Sequence, residues 1–104
     1  MKKYTIVITE PAEADLRGIA QYISFELKEP PAAQNLINKI GEAIFVLEKM
    51  PYRYPVVNDE QLAFQGIRML LVENYIVFYF VSEMDDSVTV IRILYGKREW
   101  NRVL

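Results

Sequence analysis

Two neighbouring stretches, 75 to 81 and 88 to 95, are apolar at consecutive rather than alternate positions, and only the acidic link Glu83, Met84, Asp85, Asp86 separates them closely. A strand with two apolar faces cannot lie on a wet surface, so these stretches belong in the middle of a sheet that other elements must cover. Everything before Pro51 reads as that cover. The second stretch runs straight into Gly96, Lys97, Arg98, Glu99 and Trp100. Two cations and an indole therefore stand where the last strand leaves the core, a place that rigid scaffolds often use for function.

A chain of 104 residues, about half of them apolar and a quarter charged, is expected to form one domain over 1–104 around one core. It has no cysteine and no histidine, so disulfides and thiolate or imidazole metal sites are excluded and no cofactor is expected. The same absence removes the commonest general base near neutral pH. Lys2 and Lys3 lead into an alternating strand, not an unbroken apolar run, so the expectation is a cytoplasmic protein without a membrane partner. The formal net charge of −2 is unevenly spread. Residues 58 to 86 carry six acids against Arg68, whereas Arg92, Lys97, Arg98 and Arg102 oppose only Glu99 in 92 to 102. Strong general nucleic-acid binding is disfavoured; a local cationic patch at the end of the sheet is compatible with this pattern.

In chain order, 3 to 9 alternates Tyr4, Ile6 and Ile8 against Lys3, Thr5 and Val7, as a strand with one buried face does. Thr9 then offers an N-cap, Glu10 a carboxylate for the helix dipole and Pro11 a first-turn proline. The apolar stripe Ala12, Leu16, Ile19, Ala20, Ile23, Leu27 predicts a helix, with Glu13 and Asp15 on its solvent face. Pro30 and Pro31 stop it, and Leu36, Ile37, Ile40, Ala43, Ile44 and Leu47 predict a second helix ended by Pro51. The short link makes an αα-hairpin. Asn58, Asp59 and Glu60 read as a solvated loop tip, followed by strands at 62 to 72, 75 to 81 and 88 to 95. The expected fold class is therefore α+β: an N-terminal strand, an αα-hairpin, then a three-stranded antiparallel meander, with the helices on one face of the sheet.

Thr9-Glu10-Pro11-Ala12 with Asp15-Leu16 and Tyr22-Ile23, then Gly66-Ile67-Arg68 with Asn74-Tyr75, then 92 to 100, together resemble the RelE/ParE superfamily of toxins from type II toxin–antitoxin modules. The resemblance covers nearly the whole chain in the superfamily's order and spacing. It implies a growth inhibitor silenced by a cognate antitoxin. RelE-like members are ribosome-dependent messenger RNA endoribonucleases; ParE-like members are not known as nucleases and poison DNA gyrase.

On a RelE-like reading the catalytic residues are Arg98, Arg68 and Tyr95. Arg98 falls on the arginine that stabilises charge on the cleaved phosphate, a task suited to guanidinium. Its alternative is a solvated arginine; that of Arg68 is a partly buried arginine paired with Glu73 or Glu99. Tyr95 stands where many members have histidine, and a phenol with a pKa of about 10 is a weak base at neutral pH, so packing is its alternative. Arg92, Lys97, Trp100 and Arg102 are candidates for an anion or partner site, with Trp100 read as the exposed aromatic. Three departures stand out: Ile76 follows Tyr75 where efficient nucleases place arginine, and Met69 and Leu70 replace further cations. Losing one such donor costs about 10²–10³ in rate.

Three readings follow: a ParE-like inhibitor of a protein target such as gyrase, a RelE-like nuclease acting on the translating ribosome, or a member that binds antitoxin without toxicity. Ile76, the acidic net charge and the missing histidine place the first ahead.

Overall fold

The computed structural model describes residues 2–96, 100, 103 and 104. The chain forms β1 (Thr5–Ile8), α1 (Glu10–Gln21), a π-helical turn (Tyr22–Glu26), α2 (Pro30–Val46), α3 (Glu60–Phe64), β2 (Arg68–Val72), β3 (Tyr75–Ser82) and β4 (Ser87–Tyr95). The four strands make one sheet in the order β1-β4-β3-β2. The expected meander is present, and β1 joins it parallel to β4 by pairing Thr5 with Ser87 through to Ile8 with Val90. The fold is α+β, with the helical hairpin on one face.

That face holds the larger core. Tyr4 from the chain start, Ala33, Leu36, Ile40, Ile44 and Leu47 from α2 and its end, and Val77, Tyr79, Val88, Val90 and Ile93 from the sheet pack together. The α2 residues recur at intervals of three and four, which keeps one stripe of the helix on the sheet. Tyr79 is fully buried yet donates its hydroxyl to the Pro51 carbonyl at 2.7 Å. Burial pushes its pKa up to about 12.

The hairpin is not the whole cover. Ile76, Phe78 and Leu94 point to the opposite face, where Val57, Leu62 and Ile67 bury them and Trp100, Val103 and Leu104 add to the edge. Residues 57–67 supply this second cover through α3, which replaces the first half of the strand expected at 62 to 72. Asp59, expected at a solvated tip, is its N-cap: the carboxylate accepts the Leu62 N–H at 3.0 Å. Gly66 closes the turn at φ 81°, with Gly66 N–H to Ala63 carbonyl and Ile67 N–H to Leu62 carbonyl, the Schellman pattern. Leu62 and Ile67 then meet in the second core.

The end of the first helix also differs from its sequence pattern. At Tyr22 the chain widens by one residue per turn, with Leu27 N–H bonded to the Tyr22 carbonyl, and Lys28 reverses direction in the left-handed region at φ 55°. The extra residue turns the last positions off the buried stripe. Ile23 stays inside, whereas Leu27, expected on the stripe, and Phe25 face solvent.

Candidate functional site

β1 stops at Ile8, but β4 continues for another five residues beyond its partner Val90. The uncovered edge is taken up by side chains of α1 and its cap. Thr9 accepts the Ala12 N–H through its hydroxyl oxygen, and the same hydroxyl donates to the Val90 carbonyl at 3.0 Å, with the Ile91 carbonyl at 3.1 Å. Two turns on, Asp15 accepts the Ile93 N–H at 2.9 Å and both Arg92 Nε and Nη2 at 2.7 and 2.8 Å.

A β-bulge makes this possible. Tyr79 pairs with Val90 and Phe78 with Arg92, so Ile91 is an extra residue on β4. Asp15 was expected on the solvent face of α1; instead the strand edge recruits it, because an unpaired strand N–H beside a helix needs an acceptor. The hydrogen bonds that Arg92 donates to Asp15 raise its pKa further.

Arg68 opens β2 on the hairpin face, paired with Tyr79. Its guanidinium donates to the Tyr54 carbonyl at 2.6 Å and lies 5.0 Å from the centre of the Tyr52 ring. It is paired with no carboxylate among the described residues; of its two expected partners, Glu73 instead holds Lys39 at 2.7 Å and Glu99 lies outside the described residues. Tyr95 is at the far end of the same face, opposite Tyr75, four β3 residues or about 13 Å along the strand from the Arg68 position. The two rings meet edge-on with centroids 5.6 Å apart, and Tyr95 keeps 41% of its surface exposed. Arg68, Arg92 and Tyr95 thus do not converge on a common point. Trp100 is half-buried with its ring 5.1 Å from Phe78, so it helps close the second core rather than standing free as expected. Arg98, Lys97 and Arg102 lie outside the described residues.

Ile76, at the position where the nuclease pattern has arginine, is 4% exposed in the second core. Leu70 is buried under the hairpin and Met69 packs against the second core. No charge could occupy these positions without desolvation.

What the structure does bring together is a groove of about 1030 Å³ between the turn of the hairpin, where α1 ends and α2 begins, and the end of the sheet. Gly18 and Ile19 of α1, Ile23 and Leu27 beyond it and Leu36 of α2 form one wall; Tyr75 and Tyr95 form the other. The Glu73-Asn74 turn and Glu29 form its rim. The sequence signals for this feature, the paired tyrosines and the apolar residues at 19, 23 and 27, were legible only as core. Among the described residues three carboxylates line the groove, the chain has no histidine or cysteine, and no cluster of the described residues could hold a metal ion. No described helix is long and apolar enough to cross a membrane.

This arrangement of hairpin and mixed sheet is the fold of chains from solved toxin–antitoxin structures. Over 91% of its length the chain superposes on 98% of a chain from the chromosomal ParDE toxin–antitoxin system of P. aeruginosa, with a TM-score of 0.74 at 21% identity. It also superposes on a chain of the RelBE2 toxin–antitoxin complex of Mycobacterium tuberculosis, with a TM-score of 0.66 at 22% identity over 91% of this chain and 93% of that one. For the isolated RelE toxin of E. coli the TM-score is 0.55 at 18% identity, over 97% and 99% of the two chains. No curated protein matches the chain in sequence. Residues 6–100 match the model of the ParE toxin of type II toxin–antitoxin systems, and the chain belongs to that family.

Proposed function

We propose that this toxin acts on a protein target of the DNA gyrase kind and not by cutting messenger RNA, and that its antitoxin silences it by seating an apolar segment in the groove. The observation that carries the first part is the burial of Ile76. A phosphate in an associative or dissociative transition state needs preorganised cations, and here that position is core. The two described arginines of the sequence pattern are also engaged, Arg92 by Asp15 and Arg68 by the Tyr54 carbonyl and the Tyr52 ring. A guanidinium held in a bidentate carboxylate clasp must break that clasp before it can serve a phosphate. The antitoxin's place is supported by the exposed apolar surface of the groove, where Tyr22 and Leu27 are each more than half exposed. The family match and the likeness to the P. aeruginosa ParDE chain agree with this reading.

The RelE-like reading is supported by the exposed phenol of Tyr95, and it places Arg98 at the cleaved phosphate. One experiment separates the two. Purified protein is added to a cell-free translation reaction with an end-labelled message, beside an Arg98→Ala variant, and in parallel to a gyrase supercoiling assay. Inhibited supercoiling with intact message is the expected result. Ribosome-dependent cleavage that the variant loses would overturn the proposal, and inactivity in both assays would leave a chain that binds antitoxin without toxicity.

A further inference from the structure

We infer that the groove selects an antitoxin segment whose apolar face carries a lysine or arginine, placed to meet Glu29 and Glu73; this rests on the groove being the antitoxin's seat. The walls set the first requirement. Ile19, Ile23 and Leu27 face Tyr75 and Tyr95, so affinity must come from an apolar face.

The charges set the second. Among the described residues that line the groove, the ionisable ones are Asp15, Glu29 and Glu73 together with tyrosines, with no lysine or arginine. These carboxylates are not equivalent. Asp15 is committed to Arg92 and the Ile93 N–H. Glu29 immediately precedes α2, but its side chain does not cap that helix, and it enters no ion pair or side-chain hydrogen bond among the described residues. Glu73 sits at the tip of the β2–β3 turn at φ 54°, which carries it to the groove rim. Its partner Lys39 is as exposed as it is, with both side chains more than half in solvent, and such a pair exchanges readily for a better-placed cation. An incoming cation therefore meets one open carboxylate and one exchangeable carboxylate. An incoming acid meets repulsion from both, in a chain already at net −2.

The test is a selection of about 20-residue displayed peptides, a length that spans roughly 30 Å as a helix, on immobilised wild-type protein. Binders are then measured against Gly18→Leu and against the double variant Glu29→Lys, Glu73→Lys. Gly18 lines the groove and a Cβ there meets nothing within 4 Å, so leucine has room to extend into the groove and also improves the helix. Far-UV dichroism and urea midpoints establish that both variants fold. The expected result is a set of apolar peptides enriched in lysine or arginine that lose binding on Gly18→Leu and weaken by about tenfold on the double variant at low salt, while acidic analogues gain. Peptides that depend on Gly18 but show no cationic bias, or no response to the double variant, would overturn this inference and leave the groove reading standing. Binders indifferent to Gly18→Leu, or no binders at all, would overturn both.

Discussion

Asp15 clasps Arg92 through two hydrogen bonds of 2.7 and 2.8 Å, joining the first helix to the last strand where that strand has outrun its neighbour. Both side chains are largely buried, at 13% and 24% exposure, and the same carboxylate also takes a backbone N–H. The pair is thus an edge cover for β4 as much as an ion pair.

Truncating Asp15 leaves a guanidinium and a strand N–H without an acceptor. Asp15→Ala should lower unfolding stability by about 3 kcal/mol, in the range for breaking one side of a buried pair. Arg92→Met should cost less, because it leaves the Ile93 bond to Asp15 intact. Urea unfolding of the two single variants and the double variant gives the coupling, expected at about 1–3 kcal/mol for groups in direct contact. A coupling near zero would mean the clasp is absent in solution.

Tyr79→Phe removes the hydroxyl that satisfies the Pro51 carbonyl inside the core. The loss should be about 1–2 kcal/mol, more than a surface tyrosine change would give. Because burial raises the folded pKa of Tyr79 to about 12 from an ordinary 10.0, its contribution is complete below pH 10 and is lost as pH rises through 12. Ultraviolet titration of the folded protein should show a late phenol near pH 12 that is missing from the variant; Tyr52, also pushed up to about 12 by its hydrogen bond to Glu83, remains as the internal reference.

Glu83 gathers Lys2, Tyr52 and Tyr4, and these hydrogen bonds hold its carboxyl at about 2 against an ordinary 4.5. A depressed carboxyl stabilises the fold fully above its unfolded value and loses that contribution as pH falls through the folded one. The urea midpoints of wild type and Glu83→Gln should therefore differ by a constant amount at neutral pH. The gap should narrow between about pH 5 and pH 2 as the carboxyl takes up a proton. A gap that stays constant across that window would show that Glu83 is not held as an anion by its neighbours.

Trp100 lies on Phe78 at the margin of the second core. Trp100→Ala should destabilise by about 2 kcal/mol, below the range for a fully buried indole because the ring is only partly covered. It is also the single tryptophan, so its emission reports the second core directly. Emission already at the wavelength of a free indole before unfolding would remove it from that core.

The fold was legible where periodicity is long. The stripe along α2, the alternation of Tyr4, Ile6 and Ile8 and the doubly apolar β3 and β4 each survive, because burial of a whole face outweighs local detail. The one-turn α3 was missed although both of its signals are present, Asp59 before it and Gly66 after it. Its apolar residues merge with those of β2, and a single turn is too short for a helical period to show. The end of α1 fails for a different reason. The π-helical turn changes the period itself, so Leu27 satisfies a 3.6-residue stripe in sequence and faces solvent in space.

For the site, the family resemblance named Arg68 and Tyr95 as catalytic candidates and Arg92 as an anion or partner candidate, but position along a chain says nothing about faces. Arg68 and Tyr95 share a face at opposite ends of their strands, and the Ile91 bulge swings Arg92 to the edge. The partner of Arg92 could not be found from pattern, because Asp15 is off the apolar stripe of its helix and is claimed by a strand 78 residues away. Departures from the nuclease pattern were more informative than matches. Ile76 reads as a missing cation in the sequence, and the structure places it in the core.

The parallel pairing of β1 with β4 orders events during synthesis. Residues 5–8 are made first, yet their strand partners are 87–90. At 5–20 residues per second the N-terminal segment waits on the order of 4–16 s for its partner to be translated. Such sequence-distant pairing gives high contact order, and the closing contact comes almost at the end of the chain. A nascent toxin therefore carries an unpaired β1 and an uncovered hairpin stripe for most of its translation, and acquires its working shape only when the last strand arrives.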